Sequence, residues 1–259
     1  LAMGIAPAYA AAPTFSDVPS NHWAHSYIEE AAADGAVNGV GNNRFDPDGI
    51  LTVAEWSCIL ARAFYGNEVE AKAKTTWYNR ETEVLQEHGI YANVGTLNSI
   101  QFSASASRTL MAETVANLMK DKNVTADASK VAAAKAEIAD LDSIYPMHHE
   151  AVATCWALGI INGVGGGRFD GNGNMERAAA SAVYSRVKNV LAGAPSGSET
   201  PPETPTPPRD RESGGDYVQH PTQSGQERHR KPRSYHRLLG PAEYGNEEYL
   251  RPRCLQCSL

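Results

Sequence analysis

Two arginines, Arg108 and Arg177, stand where the sequence starts a helix, and that placement can do anion chemistry. A helix N-terminus presents unpaired N–H groups and about half a positive charge. An arginine in its first turn adds a planar fork that grips a carboxylate through two hydrogen bonds. Glycines in two loops, Gly39 and Gly41 in one and Gly163 and Gly165 in the other, leave room for a ligand to reach the backbone closely. The bland alternatives use the same residues. Each arginine could make an ordinary inter-helix ion pair. Asn38-Gly39 and Asn162-Gly163 are turn formers in their own right.

Other chemistry finds little support. Asp46-x-Asp48-Gly49-x-Leu51-x-x-x-Glu55 fits part of an EF-hand calcium loop, as in a dockerin-like module. Arg44, and Arg168 in the later loop, occupies the first ligand position and opposes a divalent ion; Ala179 replaces the last ligand in the later loop. Thr52-x-x-Glu55 reads more simply as a capping box. Cys58 and Cys155 stand singly on apolar helix faces and read as small buried hydrophobes. Cys254-x-x-Cys257 has no second pair for zinc, and His148-His149 lacks metal spacing. No catalytic constellation, metal site or cofactor motif is expected.

The elements behind these residues repeat. Residues 35–46, Gly-Ala-Val-Asn-Gly-Val-Gly-Asn-Asn-Arg-Phe-Asp, nearly match residues 159–170, Gly-Ile-Ile-Asn-Gly-Val-Gly-Gly-Gly-Arg-Phe-Asp. A diverged middle copy is anchored by Trp77, 12 residues before Gly89, as Trp23 is 12 before Gly35 and Met147 is 12 before Gly159. The copies span 15–66, 70–122 and 138–191, and the middle one lacks the Asn-Gly-Val-Gly loop. Each reads as helix, Gly-rich loop, helix. The first helix of copy 1 is expected to start at a Ser20 or Asn21 cap and to stop at Gly35. Asp17 and Asp140 are expected to cap first helices, and Trp23 and Trp77 have a core role as their plainest reading. With no sustained period-2 alternation, the class is all-α.

Laid out in this way, residues 15–191 resemble three tandem S-layer homology (SLH) repeats. The resemblance rests on Phe15-Ser16-Asp17-Val18 with His22-Trp23-Ala24, and on the Gly-x-x-Asn-Gly-x-Gly-x-x-x-Phe loop followed by Pro and Asp. It also rests on Thr52-Val53-Ala54-Glu55, Ser107-Arg108-Thr109-Leu110 and Glu176-Arg177-Ala178-Ala179 at the place of the family's Thr-Arg-Ala-Glu tetrad. It implies a pseudo-threefold assembly with a central three-helix bundle. It also implies non-covalent binding of a secondary cell-wall polysaccharide, often pyruvylated, that holds an exported protein on the wall. Arg108 and Arg177 would meet the pyruvate carboxylate, the four loop glycines would admit the polymer, and Trp23 and Trp77 would pack on sugar faces. Val53 replaces the arginine in copy 1, so one or two working grooves are expected. A second reading is a degenerate triplet that serves as a protein-interaction module.

The ends add context. Ala8-Tyr9-Ala10 is a cleavage signature, so residues 1–12 read as a signal-peptide remnant. Residues 195–208 form a Pro/Thr linker of the kind that leads to a cargo domain. Residues 209–259 read as a disordered tail, or as an aberrant one outside the native frame. Residues 1–194 carry the whole net charge of −7. An acidic domain argues against nucleic acid as partner, and no segment is long and apolar enough to span a membrane. The expected location is the cell surface.

Overall fold

The computed structural model describes residues 15–95 and 97–193. The signal-peptide remnant, the linker, the tail and Cys254-x-x-Cys257 lie outside these residues. The described residues form eight α-helices: α1 His25–Ala33, α2 Val53–Glu70, α3 Asn79–Glu87, α4 Ser99–Ser103, α5 Arg108–Asp121, α6 Ala128–Glu137, α7 His149–Ala157 and α8 Arg177–Leu191. Among them there are isolated bridges but no strand, so the class is all-α.

Local chemistry sets the helix ends. Thr52 and Glu55 close the expected capping box at the start of α2. Ser107 caps α5 by accepting from Leu110 N–H at 3.2 Å. Helices α1, α3 and α7 stop at Gly35, Gly89 and Gly159, each left-handed with φ of 65–71°. The start of α1 differs from expectation. Residues around Pro19 form a turn in which His22 N–H donates to Pro19 O, so the helix begins at His25 without a side-chain cap. Helix α6 was not expected from the repeat pattern. Asp127 caps it, and Val131 and Ala134 pack on Ala153 of α7.

Three helix pairs build the framework: α2 on α3, α5 on α7, and α1 on α8. Each pair joins the second helix of one copy to the first helix of the next, and α1–α8 closes the circuit. The segments that precede α2, α5 and α8 are tied in the same cyclic sense. Leu51 N–H donates to Met175 O, Met175 N–H to Ala106 O, and Ala106 N–H to Leu51 O, at 2.8–3.0 Å. A shared core lies around this ring, with Trp56, Phe45, Phe169, Leu51, Leu60, Met111 and Leu118 fully buried. Trp56 Nε1 donates to Thr114 Oγ1 at 2.9 Å and links α2 to α5. Side chains of this size cost about 3–5 kcal/mol when truncated in a packed core. The copies therefore stand or fall together.

Candidate functional site

The two Asn-Gly-Val-Gly loops have nearly the same build. Val40 N–H donates to Arg44 O at 2.7 Å, and Val164 N–H to Arg168 O at 2.8 Å. Gly41 and Gly165 sit at φ of +100° and +101°, where a side chain would be strained. Gly39 and Gly163 are required for a different reason. A Cβ on Gly39 would lie 2.6 Å from Arg44 O and 2.7 Å from the Phe15 ring; one on Gly163 would run into Arg168 O and the Trp156 ring. The turn-forming role of these residues is therefore physical, whatever the loops bind.

Asp17 and Asp140 do not cap helices. Asp17 accepts from Phe45 N–H at 2.8 Å and Asp46 N–H at 2.9 Å, and Asp140 accepts from Phe169 N–H at 2.6 Å and Asp170 N–H at 2.8 Å. Each carboxylate pins the far end of its own loop. Burial works against the ionised Asp17, but these backbone N–H groups, helped by Arg44, hold its carboxyl below the usual range.

The arginines grip the same loops from the other side, and each comes from a different copy. Arg108 of copy 2 reaches the loop of copy 3: Nε donates to Phe169 O at 2.7 Å and a terminal nitrogen donates to Asn162 O. Its guanidinium lies 5.0 Å from the centre of the Phe169 ring. Arg177 of copy 3 reaches the loop of copy 1: Nε donates to Phe45 O at 2.8 Å and a terminal nitrogen to Asn38 O at 2.7 Å, with the guanidinium 4.6 Å from the Phe45 ring centre. Arg108 is the more buried, and desolvation pushes its pKa down to about 10, so it stays charged at neutral pH.

The circuit makes sense of the middle copy. By the same register, Val53 of copy 1 would face the loop of copy 2, and that is the loop without the Asn-Gly motif. Val53 is buried. In place of the loop, the short α4 brings Phe102 against Tyr78 and Tyr91, with ring centres 5.3 and 6.0 Å apart. The missing arginine and the missing loop are thus the two sides of the same contact.

A cleft of about 240 Å³ opens beside the first loop. Its lining includes Asn38 and Gly39 of the loop, Glu55 and Arg62 of α2, Lys74 and Trp77 of the α2–α3 connection, and Arg177 of α8. Three expected site residues, Gly39, Trp77 and Arg177, are thus brought together from all three copies. Gly41 is not among the lining residues, and Arg108, Gly163 and Gly165 belong to the other loop. Trp23 also lies away from this cleft, half-buried against the core with its ring stacked on His22. Asn38, a turn former by sequence, and Arg62 and Lys74, which no motif marks, also line the cleft. Lys74, three residues before Trp77, had a positional signal.

Glu55 bears on the calcium reading. Its Oε2 accepts from Thr52 N–H at 2.8 Å and Thr52 Oγ1 at 2.9 Å, so that oxygen is committed to the cap. Among the described residues no group of three or more His, Cys, Asp or Glu is placed to hold a metal ion. Cys58 and Cys155 are buried free thiols.

Comparison with known proteins completes the picture. Residues 14–55 and 137–181 match the S-layer homology domain, which places the match in copies 1 and 3. The chain is 26% identical over 180 residues to an amylopullulanase of Thermoanaerobacterium thermosulfurigenes, covering 66% of this chain and 9% of that protein. It is 26% identical over 180 residues to the exoglucanase XynX of Acetivibrio thermocellus, covering 66% of this chain and 16% of that one. It is 28% identical over 123 residues to the S-layer protein sap of Bacillus anthracis, covering 45% of this chain and 15% of that protein. The chain thus spans a small part of each of these relatives.

Proposed function

Because this chain carries S-layer homology domains, we propose that it is a non-catalytic anchor that holds an exported protein on the bacterial cell wall. It does so by binding a secondary wall polysaccharide that bears a pyruvate ketal. The observation that carries the proposal is the cleft where Gly39, Trp77 and Arg177 converge from three copies. A polysaccharide offers hydroxyls, apolar ring faces and, where pyruvylated, a carboxylate. The loop backbone suits the hydroxyls, the Trp77 ring suits a sugar face, and the cationic lining suits the carboxylate. The partial matches to an amylopullulanase, an exoglucanase and an S-layer protein fit a module shared among proteins of different activity. Cargo, in this reading, lies elsewhere in the full protein.

Two loops retain both glycine motif and arginine, so two grooves are proposed: loop 1 with Arg177 and loop 3 with Arg108. By register, the second groove takes Trp23 in the role of Trp77, because α1 packs on α8 as α3 packs on α2. Arg186 lies nine residues into α8 as Arg62 does in α2, and it stacks 5.7 Å from the centre of the Tyr27 ring.

Co-sedimentation with purified bacterial sacculi tests the function. Pelleting with native sacculi, absent with sacculi stripped of secondary polymer and weakened by Trp77→Ala, is the expected result. No pelleting with native sacculi would overturn it and favour the degenerate interaction module. Loss of pelleting in EDTA would favour calcium instead.

A further inference from the structure

We infer that Lys74 is the residue that reads the ligand's anion in the first cleft, and that Arg177 is a positioning residue that holds the loop. The inference rests on the reading of this cleft as a wall-polysaccharide groove. Three cations line it: Arg62, Lys74 and Arg177. They are not equally available. Arg177 bridges the Asn38 and Phe45 carbonyls with its guanidinium over the Phe45 ring, so these donors are committed to the protein. Arg62 pairs at 2.8 Å with Glu81, a buried carboxylate of α3. Lys74 is exposed on the connection between α2 and α3, and among the described residues no hydrogen bond or ion pair holds it.

A flexible, exposed ammonium group in the lining of a cleft reaches an incoming anion without first giving up a partner. Glu55, also in the lining and fixed by its cap, repels an anion that is not seated against the lysine. Together they select a ligand with one negative charge at the Lys74 end of the cleft. That charge is a carboxylate or a phosphate on the polymer.

The same argument distinguishes the two proposed grooves. Lys74 precedes Trp77 by three residues, and Ser20 precedes Trp23 by three. Glu55 has Ala179 in its place, two residues after Arg177 as Glu55 is two after Val53. The groove of loop 3 therefore lacks both charged selectors. It binds sugar without the anion requirement.

The test uses the full chain with sacculi in three states: native, treated with mild acid to hydrolyse ketal-linked pyruvate, and stripped of polymer. Wild type is compared with Lys74→Gln and Arg177→Lys, with thermal midpoints measured beside each. Lys74→Gln should melt as wild type does and lose binding to native sacculi on the order of ten- to hundredfold, the range of one charge-assisted hydrogen bond. If the anion is the ketal carboxylate, mild acid lowers wild type to the level of the variant. If it is a phosphate, mild acid leaves the gap between them intact. Arg177→Lys should weaken binding to native and ketal-free sacculi by the same factor. Undiminished binding by Lys74→Gln would overturn the assignment. So would Arg177→Lys abolishing ketal dependence while Lys74→Gln keeps it. Failure of wild type itself to pellet with native sacculi would instead remove the wall reading, and this assignment with it.

Discussion

Arg108 and Arg177 hold the same register and make the same contacts, yet their removal should cost very different amounts. Arg108 is 7% exposed. Arg108→Ala strips the donors from Phe169 O and Asn162 O and leaves a void beneath the Phe169 ring. Hydrogen bonds to a charged group contribute about 1.5–3 kcal/mol each, and the cation–ring contact about 1 kcal/mol more. The substitution also relieves the burial of the guanidinium, the same desolvation that depresses its pKa, and this offsets part of the loss. A net cost of about 3 kcal/mol follows. In a folded unit of this size each kcal/mol shifts the melting point by about 2–4 °C, so the midpoint should fall by roughly 6–12 °C.

Arg177 is half-buried, and water can replace it at Asn38 O, where its bond is exposed. Arg177→Ala should cost about 1 kcal/mol, or roughly 2–4 °C. Arg108→Lys should recover little, because a point charge cannot span two carbonyls as a planar fork does. Thermal unfolding followed by circular dichroism, with all variants in one buffer, decides the matter. A drop of under about 3 °C for Arg108→Ala, or equal drops for both alanine variants, would refute the account of Arg108 as the buried clasp between copies 2 and 3.

Three further outcomes are expected. Gly163→Ala drives a Cβ into the Arg168 carbonyl and the Trp156 ring and should destabilise by about 1–3 kcal/mol in urea unfolding; Gly66→Ala, with nothing within 4 Å, should be neutral or slightly stabilising. His88 donates to Glu68 Oε2 at 2.8 Å and Asp121 Oδ1 at 2.9 Å when protonated, and the Glu68 bond, with Asp121 behind it and burial opposing, raises its pKa. The stability it contributes is fully present below the unfolded pKa of about 6.5 and is lost as pH rises through the raised folded value; the urea midpoint of wild type minus that of His88→Gln should therefore shrink between pH 6 and pH 9, and a flat difference would contradict this. Val53→Arg, the apparent repair of copy 1, should destabilise by about 3 kcal/mol or more by thermal melt, because the buried site offers no Asn-Gly loop carbonyls to receive it.

That last variant shows where the sequence could and could not be read. The capped helix starts at Thr52 and Ser107, the glycine stops and the all-α class follow from local signals: caps, left-handed glycines and helical spacing. Such signals act within a few residues of each other and are written where they act. Helix α6 carries its own local signal, an alanine-rich run behind the Asp127 cap, but it lies between copies 2 and 3, where a reading organised by the repeat passes over it. The true jobs of Asp17 and Asp140 were missed for another reason. Both stand just ahead of a first-helix region, so capping was the local inference, but their N–H partners lie 28–30 residues away.

The site itself was legible as residue types but not as a constellation. Reading each copy as a unit treats Val53 in copy 1 and the missing Asn-Gly loop in copy 2 as two independent departures. The structure passes each arginine to the next copy. Val53 and the altered loop at Ile90–Gly95 then become the two sides of the one contact that the circuit does not make. A guanidinium with no carbonyls to hold would be a buried unpaired charge, and a loop without its arginine would lose the clasp that fixes it. Either loss removes the reason to keep the other. The same circuit explains why the first cleft needs residues from all three copies. Copy 1 supplies the loop, copy 2 the tryptophan and lysine, and copy 3 the arginine. A single copy excised from this chain would therefore carry the motif without the site.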